Sequence, residues 1–124
     1  MKTLALDFGA ARTGVAVSDP TGTVARPLTT VQSALSDAGF ARLLDVISAE
    51  APEAIVVGMP LTLRGGHGEQ AQATAAFVER LRAACDVPVE TYDERFTSVL
   101  AGGDDARAAA HLLSGYLEWQ STHR

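Results

Sequence analysis

Thr3-Leu4-Ala5-Leu6-Asp7-Phe8-Gly9 opens the chain with an apolar, strand-like run that ends in a carboxylate. A charge at the last step of such a run is costly to bury unless something pairs with it. Working outward, Gly14 to Ser18 alternates, Asp19-Pro20-Thr21-Gly22 supplies turn chemistry, and Thr23 to Thr30 returns as a third strand. An amphipathic helix follows from about Ser36 to Glu50, with Phe40, Leu43, Leu44 and Ile47 on one side. Ala54-Ile55-Val56-Val57-Gly58 is short and wholly apolar, as in a strand covered on both faces. Met59 to Gly68 reads as a loop, and Glu69 to Ala84 as a second helix with Ala73, Phe77, Val78 and Leu81 inward. Val87 to Tyr92 is a fifth strand, and Asp105 to about Gln120 a last helix.

The order βββαβαβα predicts an α/β fold: a mixed five-stranded sheet with helices on both faces. If strands one, four and five are parallel, Asp7, Met59-Pro60 and Asp93-Glu94 stand at the strand ends where ligands collect in such sheets. At 124 residues, with no linker or repeat, the chain is expected to form a single domain over 1–124.

Asp105 extends the pattern of acids. The residues 3, 4, 7, 8, 11 and 12 places beyond it are Ala108, Ala109, Leu112, Leu113, Tyr116 and Leu117, one apolar face of a helix. A carboxylate that opens that stripe faces the domain, whereas Asp104 is placed to cap the helix. The plainer readings are a turn aspartate before glycine for Asp7 and a second cap for Asp105. Three separated acids aimed at one place would make a metal site.

The 47% hydrophobic content fits an ordinary globule, and Cys85, alone, gives neither a disulfide framework nor a thiolate zinc cluster. With no apolar stretch of transmembrane length and no secretory pattern, the chain is expected in the cytoplasm, with no membrane partner. A net charge of −5 argues against a broad basic surface for nucleic acid. Nine arginines stand against one lysine, however, and Arg12, Arg64, Arg95 and Arg107 fall beside the acids and glycines, so a local basic rim is possible on an acidic body.

Four motifs in order resemble the YqgF (RuvX) family of ribonuclease H-like nucleases. They are Leu6-Asp7-Phe8-Gly9-Ala10-Ala11-Arg12-Thr13-Gly14 with Val17-Ser18-Asp19; Val57-Gly58-Met59-Pro60-Leu61 with Gly65 and Gly68; Asp93-Glu94-Arg95-Phe96-Thr97-Ser98; and Asp105 with its helical stripe. The resemblance implies a divalent-metal-dependent hydrolase of phosphodiester bonds, acting in processing of the 5′ end of pre-16S rRNA or, alternatively, on Holliday junctions. It implies a catalytic set of Asp7, Asp93, Glu94 and Asp105, with Asp7, Asp93 and Asp105 favoured as ligands of two Mg²⁺ or Mn²⁺ ions. Neighbours on an extended chain point to opposite sides, so sequence does not decide between Asp93 and Glu94.

Substrate contacts are expected from Arg12, Arg95, Thr97, Gly9 and Gly65. An arginine fork suits phosphate oxygens, but a salt bridge to a neighbouring acid is the competing role for each arginine. Thr97 can donate to phosphate or cap a helical turn. Gly65-Gly66-His67-Gly68 either lets backbone approach a ligand or is a flexible tip. His111 reads as a helix-surface residue, His123 as part of a fraying tail, and Tyr116 and Trp119 as packing. The partner is nucleic acid, RNA ahead of DNA, for a monomer or homodimer. One departure from the family pattern is the short connection Phe96 to Asp104, which lacks a basic side chain. Two rivals remain: an actin-like or sugar-kinase ATPase, which needs a second domain, and a non-catalytic nucleic-acid-binding module.

Overall fold

The computed structural model describes residues 1–60, 69–94 and 105–123, position 94 by its backbone alone. Strands β1 (Thr3–Asp7), β2 (Arg12–Ser18) and β3 (Ala25–Gln32) precede α1 (Asp37–Glu50), β4 (Ala54–Pro60), α2 (Glu69–Ala84), β5 (Val89–Glu94) and α3 (Asp105–Thr122). The five strands form one mixed sheet in the order β3-β2-β1-β4-β5. β1 pairs antiparallel with β2 and parallel with β4, and β4 pairs parallel with β5. The expected α/β architecture therefore holds, and the carboxyl ends of β1, β4 and β5 lie side by side.

Local chemistry sets the turns. In the β2–β3 hairpin the Asp19 carboxylate accepts from the backbone N–H groups of Thr23 and Val24, each at 2.8 Å, and from the hydroxyl and N–H of Thr21. The Thr21 hydroxyl first, then the backbone donors, hold the Asp19 carboxyl far below the usual carboxylate range. Gly22 takes φ +72 in this turn, which favours a residue without a Cβ. Ser36 caps α1 by accepting from the Gly39 N–H at 3.0 Å.

Each face of the sheet has its own core. On one, α1 and α2 press Phe40, Leu43, Ile47, Phe77, Val78 and Leu81 against Leu4, Leu6, Val15, Ile55 and Val57. On the other, α3 alone lays Ala109, Leu112, Leu113, Tyr116 and Leu117 over Ala5, Ala16 and Val56. The buried residues of α3 are the six positions that the spacing from Asp105 picks out. Small residues on the sheet bring this helix close; a Cβ on Gly58 would meet Leu112 Cδ2 at 3.0 Å.

Several strand boundaries differ from the sequence reading; β2 begins at Arg12 rather than Gly14, and β3 spans Ala25–Gln32 rather than Thr23–Thr30. β5 starts at Val89 rather than Val87, because Pro88 has no N–H to give the ladder and contributes only its carbonyl, which accepts from the Ile55 N–H at 2.9 Å. β4 and β5 also run further, pairing Met59 with Asp93 and Pro60 with Glu94, so both acids lie within the strand instead of after it. His123, expected in a fraying tail, stacks on Trp119 with ring centroids 4.5 Å apart. Cys85 is half-buried, its Sγ donating to the Leu81 carbonyl at 3.3 Å. No described helix is long and apolar enough to cross a membrane.

Phe77 is the hinge pin of the larger core, stacked on Phe8 at 4.4 Å and edge-on to Phe40 at 6.4 Å. Because Phe8 follows Asp7 directly, the stack also fixes the end of β1. Phe77→Ala is expected to lower unfolding free energy by about 3–5 kcal/mol. Urea denaturation checks this, and a loss under 1 kcal/mol would mean that the core collapses around the gap.

Candidate active site

The site is built on the pairing of β1 with β2. Thr3, Ala5 and Asp7 alternate onto the face that α3 covers, since Ala5 lies in the α3 core. Directly across the ladder from Asp7 is Gly14. A Cβ on Gly14 would lie 1.8 Å from the carbonyl oxygen of Asp105, so the first turn of α3 sits on the bare backbone of β2. Asp7 and Asp105, 98 positions apart in sequence, are brought together by this close approach.

Their electrostatics follow from that geometry. Burial, and after it the charge of Asp105, pushes the Asp7 carboxyl up from 3.8 to about 6. Asp105 is itself paired with Arg12, whose Nε lies 3.1 Å from Oδ2. Arg12 thus takes the salt-bridge role that the sequence left open beside phosphate binding. Asp7 forms no ion pair among the described residues, and no group of three potential metal ligands occurs among them. Two hard oxygen donors on one face, with mutual repulsion unrelieved on the Asp7 side, can accept a divalent cation.

The remaining expected site residues are placed unequally. Gly9 lies in the tight β1–β2 turn, where a Cβ would meet the Arg12 carbonyl oxygen at 2.5 Å, and its own carbonyl accepts from the Thr13 hydroxyl at 3.4 Å. Asp93 is exposed and belongs to the alternate set with Val89, which packs under α1 and α2, away from the Asp7 face. The backbone position of Glu94 belongs instead with Glu90 and Tyr92. Those two face α3, Glu90 accepting from the Tyr116 hydroxyl at 2.7 Å and Tyr92 packing in the α3 core. By strand alternation, therefore, it is the backbone position of Glu94 and not that of Asp93 that falls in the set facing α3. Arg95, Thr97 and Gly65, with Arg64, His67 and Asp104, lie outside the described residues. His111 is on the exposed surface of α3.

Gly14 was not singled out as a functional position, although the signal was present. A glycine inside a strand commonly marks the close approach of another backbone. Gln70 was missed as well; its Nε2 donates to the Phe8 carbonyl at 3.2 Å and ties α2 to the end of β1. A long-range contact of that kind leaves no local pattern.

The RuvX family, described as Holliday junction resolvase, matches residues 1–119. The chain belongs to the RuvX family. A protein of Chloroflexus aggregans named "Putative pre-16S rRNA nuclease" is 44% identical over 98 residues, covering 79% of this chain and 69% of its own length. One of the same name from Moorella thermoacetica is 37% identical and covers 95% of each chain. Among solved structures, T. thermophilus RuvC in complex with Holliday junction substrate superposes with a TM-score of 0.61 at 20% identity, over 98% of this chain and 96% of that one. At that identity the likeness shows the ribonuclease H-like fold. Nuclease and resolvase are both hydrolases of phosphodiester bonds, and as a RuvX protein the chain is an enzyme of that class.

Two outcomes follow from the site geometry. Gly14→Ala should destabilise by about 1–3 kcal/mol, because backbone rather than a flexible side chain must yield, and should separate Asp7 from Asp105. A urea midpoint and an Asp7 titration equal to those of the parent would refute the close approach. The second concerns pH. Folded Asp7 keeps its proton between 3.8 and about 6, where the unfolded chain has lost it, so its contribution to stability falls as pH rises through that window and is a constant penalty above it. In EDTA at pH 7.5, Asp7→Asn should therefore be the more stable protein, by up to about 3 kcal/mol. The gap should close as pH falls toward 4, and a gap independent of pH in thermal melts would show that Asp7 is not perturbed.

Proposed function

We propose that the chain hydrolyses phosphodiester bonds of precursor ribosomal RNA, near the 5′ end of pre-16S rRNA, in the cytoplasm. In this reading Asp7, Asp105 and Glu94 hold Mg²⁺ or Mn²⁺. The observation that carries it is the Asp7–Asp105 pair at the carboxyl end of β1, set against Gly14. A fold that merely bound RNA would gain nothing by crowding two carboxylates where phosphates dock. A partly buried carboxylate beside a second one is, by contrast, a donor set that a hard cation stabilises.

Glu94 is proposed in place of Asp93 on the alternation of β5, which puts Asp93 with the opposite face of the sheet. When bound, the cation supplies activated water and stabilisation of the leaving oxygen. The chain contributes the rest. The β1–β2 ladder fixes Asp7, the first turn of α3 fixes Asp105, and Arg12, exposed beside them, offers a guanidinium suited to phosphate oxygens. The RNA substrate is supported by the name of the Moorella relative, which aligns over nearly its whole length. A second reading, cleavage of four-way DNA junctions, is favoured by the RuvC likeness and the family description.

End-labelled precursor-like RNA, single-stranded RNA, single-stranded DNA and a four-way junction, each with Mg²⁺, Mn²⁺ or EDTA, separate the readings. Metal-dependent cutting of the precursor is expected, with Asp7→Asn and Glu94→Gln slower by more than about 100-fold, beyond the loss from removing an outer partner of a metal ligand. Asp93→Asn should retain activity. Mn²⁺ should also raise the melting temperature of the parent more than that of Asp7→Asn. Preference for the junction would support resolution, and folded but inactive parent protein on every substrate would leave a binding module.

A further inference from the structure

The Arg12–Asp105 pair is unusual in its balance. Arg12 contacts Asp105 through Nε at 3.1 Å, yet its side chain is 56% exposed while that of Asp105 is 26% exposed. The acid is held by the seat of α3 on Gly14, whereas the base is anchored through its backbone, at the first residue of β2 opposite Gln32, and makes no second side-chain ion pair among the described residues. One partner is thus fixed and the other can leave. Exposed pairs of this kind are weak, so release is cheap.

We propose that Arg12 is a competitor of the divalent cation: it holds Asp105 in the metal-free protein, yields it when a cation enters beside Asp7, and then turns to a substrate phosphate. The inference rests on the reading of Asp7 and Asp105 as metal-holding acids. Among the described residues Arg12 pairs with Asp105, while Asp7 has no ion pair. Entry of a doubly charged ion satisfies both acids and repels the guanidinium from the carboxylate. The backbone tether keeps the displaced arginine at the rim, two residues from Gly14, where a phosphate drawn by the cation arrives. The exchange needs no other movement of the described elements. It makes Arg12 a positioning residue with opposed effects on the two ligands, weakening the metal and strengthening the phosphate.

Mn²⁺ titration by calorimetry, with free Mn²⁺ counted by electron paramagnetic resonance and no nucleic acid present, tests this on the full chain. Arg12→Gln is expected to bind Mn²⁺ about 2–5-fold more tightly than the parent, the scale of an exposed ion pair, with Arg12→Lys between them. The gain should shrink in high salt. KM for RNA should move the other way and rise in Arg12→Gln. Equal or weaker Mn²⁺ binding by a folded Arg12→Gln protein, checked by circular dichroism, would overturn the proposal and make Arg12 a mere support for Asp105. Absence of Mn²⁺ binding in the parent as well would overturn the metal reading itself, and this proposal with it.

Discussion

The close approach of α3 to β2 at Gly14 is the constraint on which the rest depends. An α-helix crossing a sheet normally stands off by the depth of its side chains. Here the first turn of α3 rests on a residue with no side chain, and Ala5, Ala16 and Gly58 keep the interface shallow further along. The payload of that contact is electrostatic. It presses a carboxylate from the end of the chain toward one from its beginning, at a position the ladder between β1 and β2 already fixes. The opposite core, built on larger side chains around Phe77, supplies the rigidity against which that pressure is held.

The two acids of the candidate site are held in unlike electrostatic surroundings. Burial and a like charge leave Asp7 ready to take a proton near pH 6, while Asp105 leans on an arginine that water can reach. Asp19 shows what a completed carboxylate looks like in the same protein. It is ringed by the Thr21 hydroxyl and backbone N–H groups and keeps its charge well into acid. The contrast is one of surroundings: Asp19 is ringed by donors in an exposed turn, whereas Asp7 is partly buried and has no ion pair among the described residues.

Much of this could be read from residue order. The stripe from Ala108 to Leu117 announced both the helix and the inward aim of Asp105, and the run Ala54–Gly58 announced a strand covered twice. Periodicity reports such things because each residue faces a predictable side. What it could not report was register. Whether Asp93 or Glu94 shares a face with Asp7 depends on which core each side of β5 meets, and only the folded sheet shows that Val89 packs under α1 and α2 while Glu90 and Tyr92 meet α3. The Gly14 contact and the Arg12–Asp105 pair were hidden for a related reason. Both join segments more than 90 positions apart, and nothing local marks the partner.

The position of β5 has a consequence for the protein among its own copies. It is the outermost strand on its side of the sheet, and its sequence, Val-Glu-Thr-Tyr-Asp-Glu, holds three acids in six residues. An outermost strand is a template on which a second molecule can add its own strand and continue the sheet. Two copies of β5 laid edge to edge would bring acid against acid at two or three of their six positions, at a cost that grows with every pair. The carboxylates at this end of the sheet therefore also weigh against one molecule adding its outermost strand to another's.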